Sequence, residues 1–322
     1  MTAALLSVRV ARKAFETPQI CRFELVAAPG VSLPPFAAGA HIDVHTASGL
    51  IRQYSLCNNP SESHRYVIGV LRDPASRGGS VELVDKLNAG DILQISAPRN
   101  HFPLIESVPH SLLLAGGIGI TPLLCMAERL AAQAASFEFH YCVRSHASAA
   151  FLERMAASSF AARLHLHCDD GPLAQRADFA KLLADVRADT HLYVCGPSGF
   201  MDAVLAAARA ADWPESQLHW EYFAASTTTD KTASHSFELQ LASSGKVLSV
   251  PADRSAAQVL IDAGINVALS CEQGICGSCL TPVLDGIPEH RDMFLTPAER
   301  AANDQFTPCC SRARTQRLVL DL

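Results

Sequence analysis

Apolar and polar residues alternate in short runs through the first third of the chain, at Ser7–Ala11, Cys21–Val26, His41–Val44, Tyr66–Leu71 and Asp91–Ser96. Pro and Gly turns separate them, which predicts a small antiparallel β-barrel over residues 1–104. The period then changes. Ser111–Ala115 is a short apolar strand, and a helical pattern runs from Leu123 to about Ala132. Strands at Phe137–Val143, Leu164–Cys168 and His191–Cys195 alternate with helical stretches, as in a doubly wound α/β domain with a parallel sheet, placed at 105–225. The Ala-, Ser- and Thr-rich stretch Ala224–Ser236 has no apolar period and reads as a linker, assigned to 226–236. After it, Phe237–Leu241 and Val247–Val250 are strand-like, a helix from about Ser255 ends at Gly264, and Arg317–Leu322 supplies a last strand. Thr296-Pro297-Ala298-Glu299 is a capping box with Pro at the first helical position. Residues 237–322 therefore form an α+β domain.

A chain of 322 residues that is 49% hydrophobic and 18% charged can build two or three cores. Its net charge of −6 argues against nucleic acid as a partner. No run suits a signal peptide or a membrane span, and eleven cysteines scattered among apolar residues fit a reducing compartment. The expectation is a cytoplasmic monomer with no membrane contact.

Three cysteines, Cys271, Cys276 and Cys279, stand at C-x4-C-x2-C in a loop with Gly274 and Gly277, and Cys309 follows after 29 residues. This is the spacing of a plant-type [2Fe–2S] centre. A zinc site would show paired C-x2-C knuckles instead. Cys310, directly behind Cys309, is the competing fourth ligand, and the gap length favours Cys309. In the barrel, Arg52-Gln53-Tyr54-Ser55 puts a guanidinium, an aromatic ring and a hydroxyl on one strand, and Gly78-Gly79-Ser80 opens a helix expected from Val81, as an anion site would require. The apolar strand at 111–115 leads into Gly116-Gly117-Ile118-Gly119-Ile120-Thr121-Pro122, a strand–glycine turn–helix cradle for a pyrophosphate. A later strand ends in Cys195-Gly196-Pro197 with Met201 beyond. Arg144 and the pair Asp169-Asp170 end the second and third strands, and two carboxylates there would repel a 2′-phosphate.

R-x-Y-S followed by a glycine phosphate turn, G-G-x-G-x-T-P and C-G-P-x-x-x-M resemble the ferredoxin reductase superfamily, and the cysteine loop resembles a plant-type ferredoxin with its β-grasp fold. Their order, with the cluster last, is similar to the phthalate dioxygenase reductase and vanillate O-demethylase reductase family. The resemblance implies a flavin held by Arg52, Gln53, Tyr54, Ser55, Gly78, Gly79 and Ser80. It implies NADH at Gly116, Gly117, Gly119, Thr121, Pro122, Arg144, Asp170, Cys195, Gly196, Pro197 and Met201. Ser55, Cys195 and Phe223 would face the reacting rings. The family uses FMN; the residues themselves leave FAD open. The implied function is that of a reductase passing electrons from NADH through FMN and the [2Fe–2S] cluster to a Rieske-type aromatic oxygenase. The alternatives are an FAD-dependent reductase for another hydroxylase, and a redox carrier or sensor without catalysis.

Overall fold

A computed structural model describes residues 5–76, 78–184, 189–223 and 235–322. Arg77 and the expected linker, apart from its last two residues, lie outside them. The chain divides into two compact units, Met1–Phe223 and Ala224–Leu322.

The first unit opens with β1 (Leu6–Phe15), β2 (Ile20–Ala27), β3 (His41–His45), β4 (Ile51–Ser55), β5 (Tyr66–Leu71), α1 (Gly79–Lys86) and β6 (Ile92–Ile95). Period two sends Val8 and Val10 of β1, and Phe23 and Leu25 of β2, into one core with Leu93 and Ile95 of β6. The strands pair in the order β4-β3-β6-β1-β2-β5, and every pairing is antiparallel. A bridge between Leu56 and Ile68 joins the two ends, so the sheet closes into a barrel. The helix begins at Gly79, two residues before the expected Val81, because Gly78 takes φ +91° as its N-cap.

The same unit continues with β7 (His110–Gly116), α2 (Ile120–Ala132), β8 (Phe137–Val143), α3 (Leu152–Ala156), β9 (Leu164–Cys168), α4 (Phe179–Leu182), β10 (Thr190–Gly196), α5 (Ser198–Ala210) and β11 (Leu218–Tyr222). All five strands are parallel, in the order β11-β10-β7-β8-β9. β7 is buried from Ser111 to Gly116 on both faces, which accounts for its continuous apolar run. α2 starts at Ile120, three residues before the expected Leu123. A 3₁₀ turn over Gly117–Gly119 leads straight into it, and Pro122 falls in the first turn, where its missing N–H costs no intrahelical bond. Strand order reverses between β7 and β10, so both glycine turns emerge at the switch point of a doubly wound sheet.

The second unit contains β12 (Phe237–Leu241), β13 (Val247–Val250), α6 (Ala256–Asp262), β14 (Thr281–Asp285), β15 (Pro288–Glu289), α7 (Pro297–Ala302), β16 (Gln305–Phe306), β17 (Arg312–Ala313) and β18 (Arg317–Leu320). Its sheet runs β13-β12-β18-β14-β16, with β12 and β18 parallel. Leu239, Leu260, Phe306 and Leu318 are buried in the core between this sheet and α6. The Ser255 hydroxyl accepts the Gln258 N–H at 3.1 Å to start α6, and Gly264 at φ +81° ends it.

Candidate electron-transfer site

β4 supplies the barrel's contribution. Arg52 reaches over α1: a Cβ on Gly79 would lie 2.9 Å from its Cγ and Nε. The guanidinium and the N-terminal amides of α1 are thereby brought to one place, where an anionic group fits both. Ser80 is buried and accepts the Asp73 N–H at 3.3 Å. Gln53 turns to β3 instead, with its Nε2 3.1 Å from Asp43 Oδ1 and 3.2 Å from His41 Nε2. Tyr54 packs against the barrel core, and burial raises its phenol well above the ordinary value.

Ser55 ends β4, is 4% exposed, and faces the second sheet. Its Oγ lies 3.5 Å from Glu221 Oε2 on β11. Register pairs Glu221 with Cys195 on β10, so hydroxyl, thiol and carboxylate converge beside the switch point. Burial pushes the Glu221 carboxyl up to about 8. His41 Nδ1 is 3.9 Å from Glu221 Oε1, but burial and then Arg99 lower this imidazole to about 4. The pair is therefore not an ion pair at neutral pH. Burial, and Glu221 after it, raise the Cys195 thiol well above the normal range, so Cys195 is a neutral packing surface and not a thiolate nucleophile. Phe223, 37% exposed, follows β11 directly.

The glycine turns fit together at close range. A Cβ on Gly119 would lie 2.1 Å from the Cys195 carbonyl oxygen, and one on Gly196 would lie 3.0 Å from Gly116 Cα. Only glycine permits that approach, and it brings Thr121, Pro122 and the amides of α2 to the end of β10. Pro197 caps α5, and Met201 is fully buried in the apolar cluster under that helix. Arg144 and Asp170 are brought together: the Asp170 N–H donates to the Arg144 carbonyl at 3.0 Å. Two residues here went unassigned in the sequence. Glu221 stands on the His219/Glu221/Phe223 side of an aromatic strand, and a carboxylate alternating with aromatics was its signal. Phe200 covers both Gly116 and Gly196, where an added Cβ would meet its ring at 2.8 and 2.7 Å, and it left no signal.

In the second unit the cysteine loop turns its amides inward. Gln273 and Ile275 N–H groups donate to Cys271 Sγ at 3.3 and 3.4 Å, and Ser278 N–H donates to Cys276 Sγ at 3.4 Å. Gly274 and Gly277 hold positive φ, and a Cβ on Gly277 would lie 2.3 Å from the Phe294 ring. The thiols form neighbouring pairs. A hydrogen bond with Cys271 lowers Cys276 to about 5, and one with Cys309 lowers Cys279. Two sulfur pairs, Cys271 with Cys276 and Cys279 with Cys309, fit the two irons of a [2Fe–2S] centre. Cys310 packs its Sγ behind Gly274, where a Cβ would lie 2.4 Å away, and meets Thr307 Oγ1 at 3.3 Å.

Residues 239–314 match the 2Fe-2S iron-sulfur cluster binding domain family. The chain is similar to the vanillate O-demethylase oxidoreductase of Pseudomonas putida, 59% identical over 95% of this chain and 96% of that protein. It is also similar to the phthalate dioxygenase reductase of Burkholderia cepacia, 39% identical over 98% and 97%. The solved structure of phthalate dioxygenase reductase, described as modular for electron transfer from pyridine nucleotides to [2Fe–2S], superposes with a TM-score of 0.76 at 39% identity, covering 99% of this chain and 98% of that one. With barrel, nucleotide sheet and cysteine loop matched end to end, the chain belongs to the oxidoreductase family of vanillate O-demethylase and phthalate dioxygenase reductases.

Proposed function

We propose that this chain draws electrons from NADH and delivers them, through FMN and a [2Fe–2S] cluster, to a Rieske-type terminal oxygenase that demethylates an aromatic ether of the vanillate kind. The observation that carries the reading is the convergence of Ser55, Cys195 and Glu221 beside two interlocked glycine turns, in a chain that also has an amide-lined cysteine loop. NADH gives two electrons together and an iron–sulfur centre takes one, and flavin is the group that exchanges electrons both ways.

The protein's share is placement. Arg52 and the start of α1 would hold the flavin phosphate, with Tyr54 and Ser55 against the ring system. Gly116, Gly117 and Gly119 with α2 would take the pyrophosphate of NADH, and Gly196 and Pro197 would seat the nicotinamide beside Cys195. Phe223 would cover the ring until the nucleotide arrives. Cys271, Cys276, Cys279 and Cys309 would ligate the cluster.

No disulfide joins any of the described cysteines, which suits the reducing cytoplasm. Among the described residues no helix is long and apolar enough to cross a membrane. The chain is taken to act as a monomer that meets the oxygenase transiently. The test combines purified holo-protein, NADH and the vanillate oxygenase component, and measures loss of vanillate and release of FMN on denaturation. NADH consumption coupled to demethylation supports the reading. A loaded protein that reduces cytochrome c but never supports the oxygenase would reject the partner.

A further inference from the structure

A cluster of imidazoles lies on the parallel sheet away from the glycine turns and the Ser55–Glu221 contact. β8 and β9 run in register with His140 beside His165, and the period of two puts Glu138 on the same face. The ligand atoms of Glu138, His140 and His165 all lie within 4.8 Å of one another. His140 is 4% exposed, its Nδ1 is 3.0 Å from His167 Nε2, and its Nε2 is 3.5 Å from Glu138 Oε2. That Nε2 is buried and makes no hydrogen bond among the described residues.

Either tautomer leaves the contact unsatisfied. If His140 Nδ1–H donates to His167, a bare lone pair at Nε2 faces a carboxylate oxygen. If the proton is on Nε2, it meets Glu138 Oε2 only at the long distance of 3.5 Å. A cation between the two groups resolves both problems. It would use Nε2 as ligand while Nδ1–H is held by an outer acceptor, the arrangement that orients metal-bound histidines.

We propose that Glu138, His140 and His165 form a binding site for a borderline-soft divalent cation of the Zn²⁺ class. Two imidazoles and one carboxylate are the donor set such ions select, whereas Ca²⁺ and Mg²⁺ prefer oxygen throughout. His165 stacks on His140 with centroids 4.8 Å apart and planes at 19°. Its ring is exposed, so turning it to converge with His140 Nε2 needs only a side-chain rotation. Glu138, with its side chain 45% exposed, leaves the remaining position open to water. The ion would clasp edge strand β9 to β8 just before the strand reaches Asp169 and Asp170.

The experiment uses protein loaded with flavin and cluster. Equilibrium dialysis against Zn²⁺ with elemental analysis gives stoichiometry, and thermal denaturation with and without Zn²⁺ gives linked stabilisation. One saturable equivalent beyond the iron is expected, with a rise in Tm that Ca²⁺ does not reproduce. Glu138→Gln and His165→Ala alter exposed groups and should keep fold and cluster while weakening Zn²⁺ binding by roughly tenfold or more. Binding unchanged in both variants would overturn the site. So would zinc uptake that tracks bleaching of the cluster absorbance, which would put the metal on the cysteines.

Discussion

Glu221 is the residue where burial and charge are most directly opposed. Its carboxyl has an ordinary value of 4.5 and is pushed up to about 8 by burial, with Ser55 pulling weakly the other way. The folded protein therefore keeps a proton there that the unfolded chain releases. Stability falls as pH rises from about 4.5 to about 8 and levels off above, a loss on the order of a few kcal/mol in all. Glu221→Gln removes this slope. Its Tm should match the wild type near pH 5 and exceed it by several degrees near pH 9; parallel curves across that range would show that the carboxylate is solvated in the folded state. The cysteines yield a second prediction. Cys271 pairs with Cys276 and Cys279 with Cys309, while Cys310 meets Cys309 as well as Thr307 and packs behind Gly274. Ser at any of the first four should lose iron and the visible bands of the cluster and retain flavin. Cys310→Ser should keep the cluster. Iron analysis decides, and the reverse result for Cys309 and Cys310 would exchange their roles.

At the scale of elements, the turn after β9 is proposed to set nucleotide choice. Asp169 and Asp170 close on Val143 and Arg144 through backbone bonds of 3.0 Å each, so both carboxylates are held at the carboxyl edge of the sheet. A dianionic 2′-phosphate placed there would meet two like charges. Steady-state kinetics should give kcat/KM for NADH well above that for NADPH, and Asp170→Arg should narrow the ratio; equal values in the wild type would remove the turn from the specificity argument. The elements also show what the sequence makes legible. The 111–115 run, the capping box at Thr296 and the cysteine spacing are local, and each is read from neighbours in the chain. The box forms as written, with the Thr296 N–H donating to Glu299 Oε2 at 2.8 Å and the Glu299 N–H to Thr296 Oγ1 at 3.3 Å. Helix starts are less legible, since Gly117–Gly119 can serve as turn or as first helical turn and only packing against Cys195 selects. Least legible are residues whose role depends on a distant partner. Glu221 meets Ser55 across 166 positions, Phe200 covers a turn from another strand, and Met201 is drawn into the core although it stands in a motif.

For the whole molecule the division into units makes a functional claim. Residues Met1–Phe223 contain the barrel, the nucleotide sheet and every group proposed for flavin and NADH, and Ala224–Leu322 contain every proposed cluster ligand. Each unit has its own apolar core: Val8, Phe23 and Ile95 in the barrel, Leu113, Leu123 and Phe139 around the parallel sheet, and Leu239, Leu260 and Phe306 in the cluster unit. A unit with its own core can in principle fold alone. A chain ending near Thr229, in the polar stretch of the sequence, keeps the first unit entire and should bind flavin and oxidise NADH with ferricyanide at close to the full-length rate. It should reduce cytochrome c and the oxygenase at least tenfold more slowly, because the one-electron outlet has been removed; roughly tenfold corresponds to 1.4 kcal/mol in the effective barrier. The paired assay matters more than either alone. Loss of both activities with loss of bound flavin would mean that the first unit needs the second to fold, and a soluble, flavin-loaded truncate that still drives the oxygenase at full rate would take the cluster off the electron path.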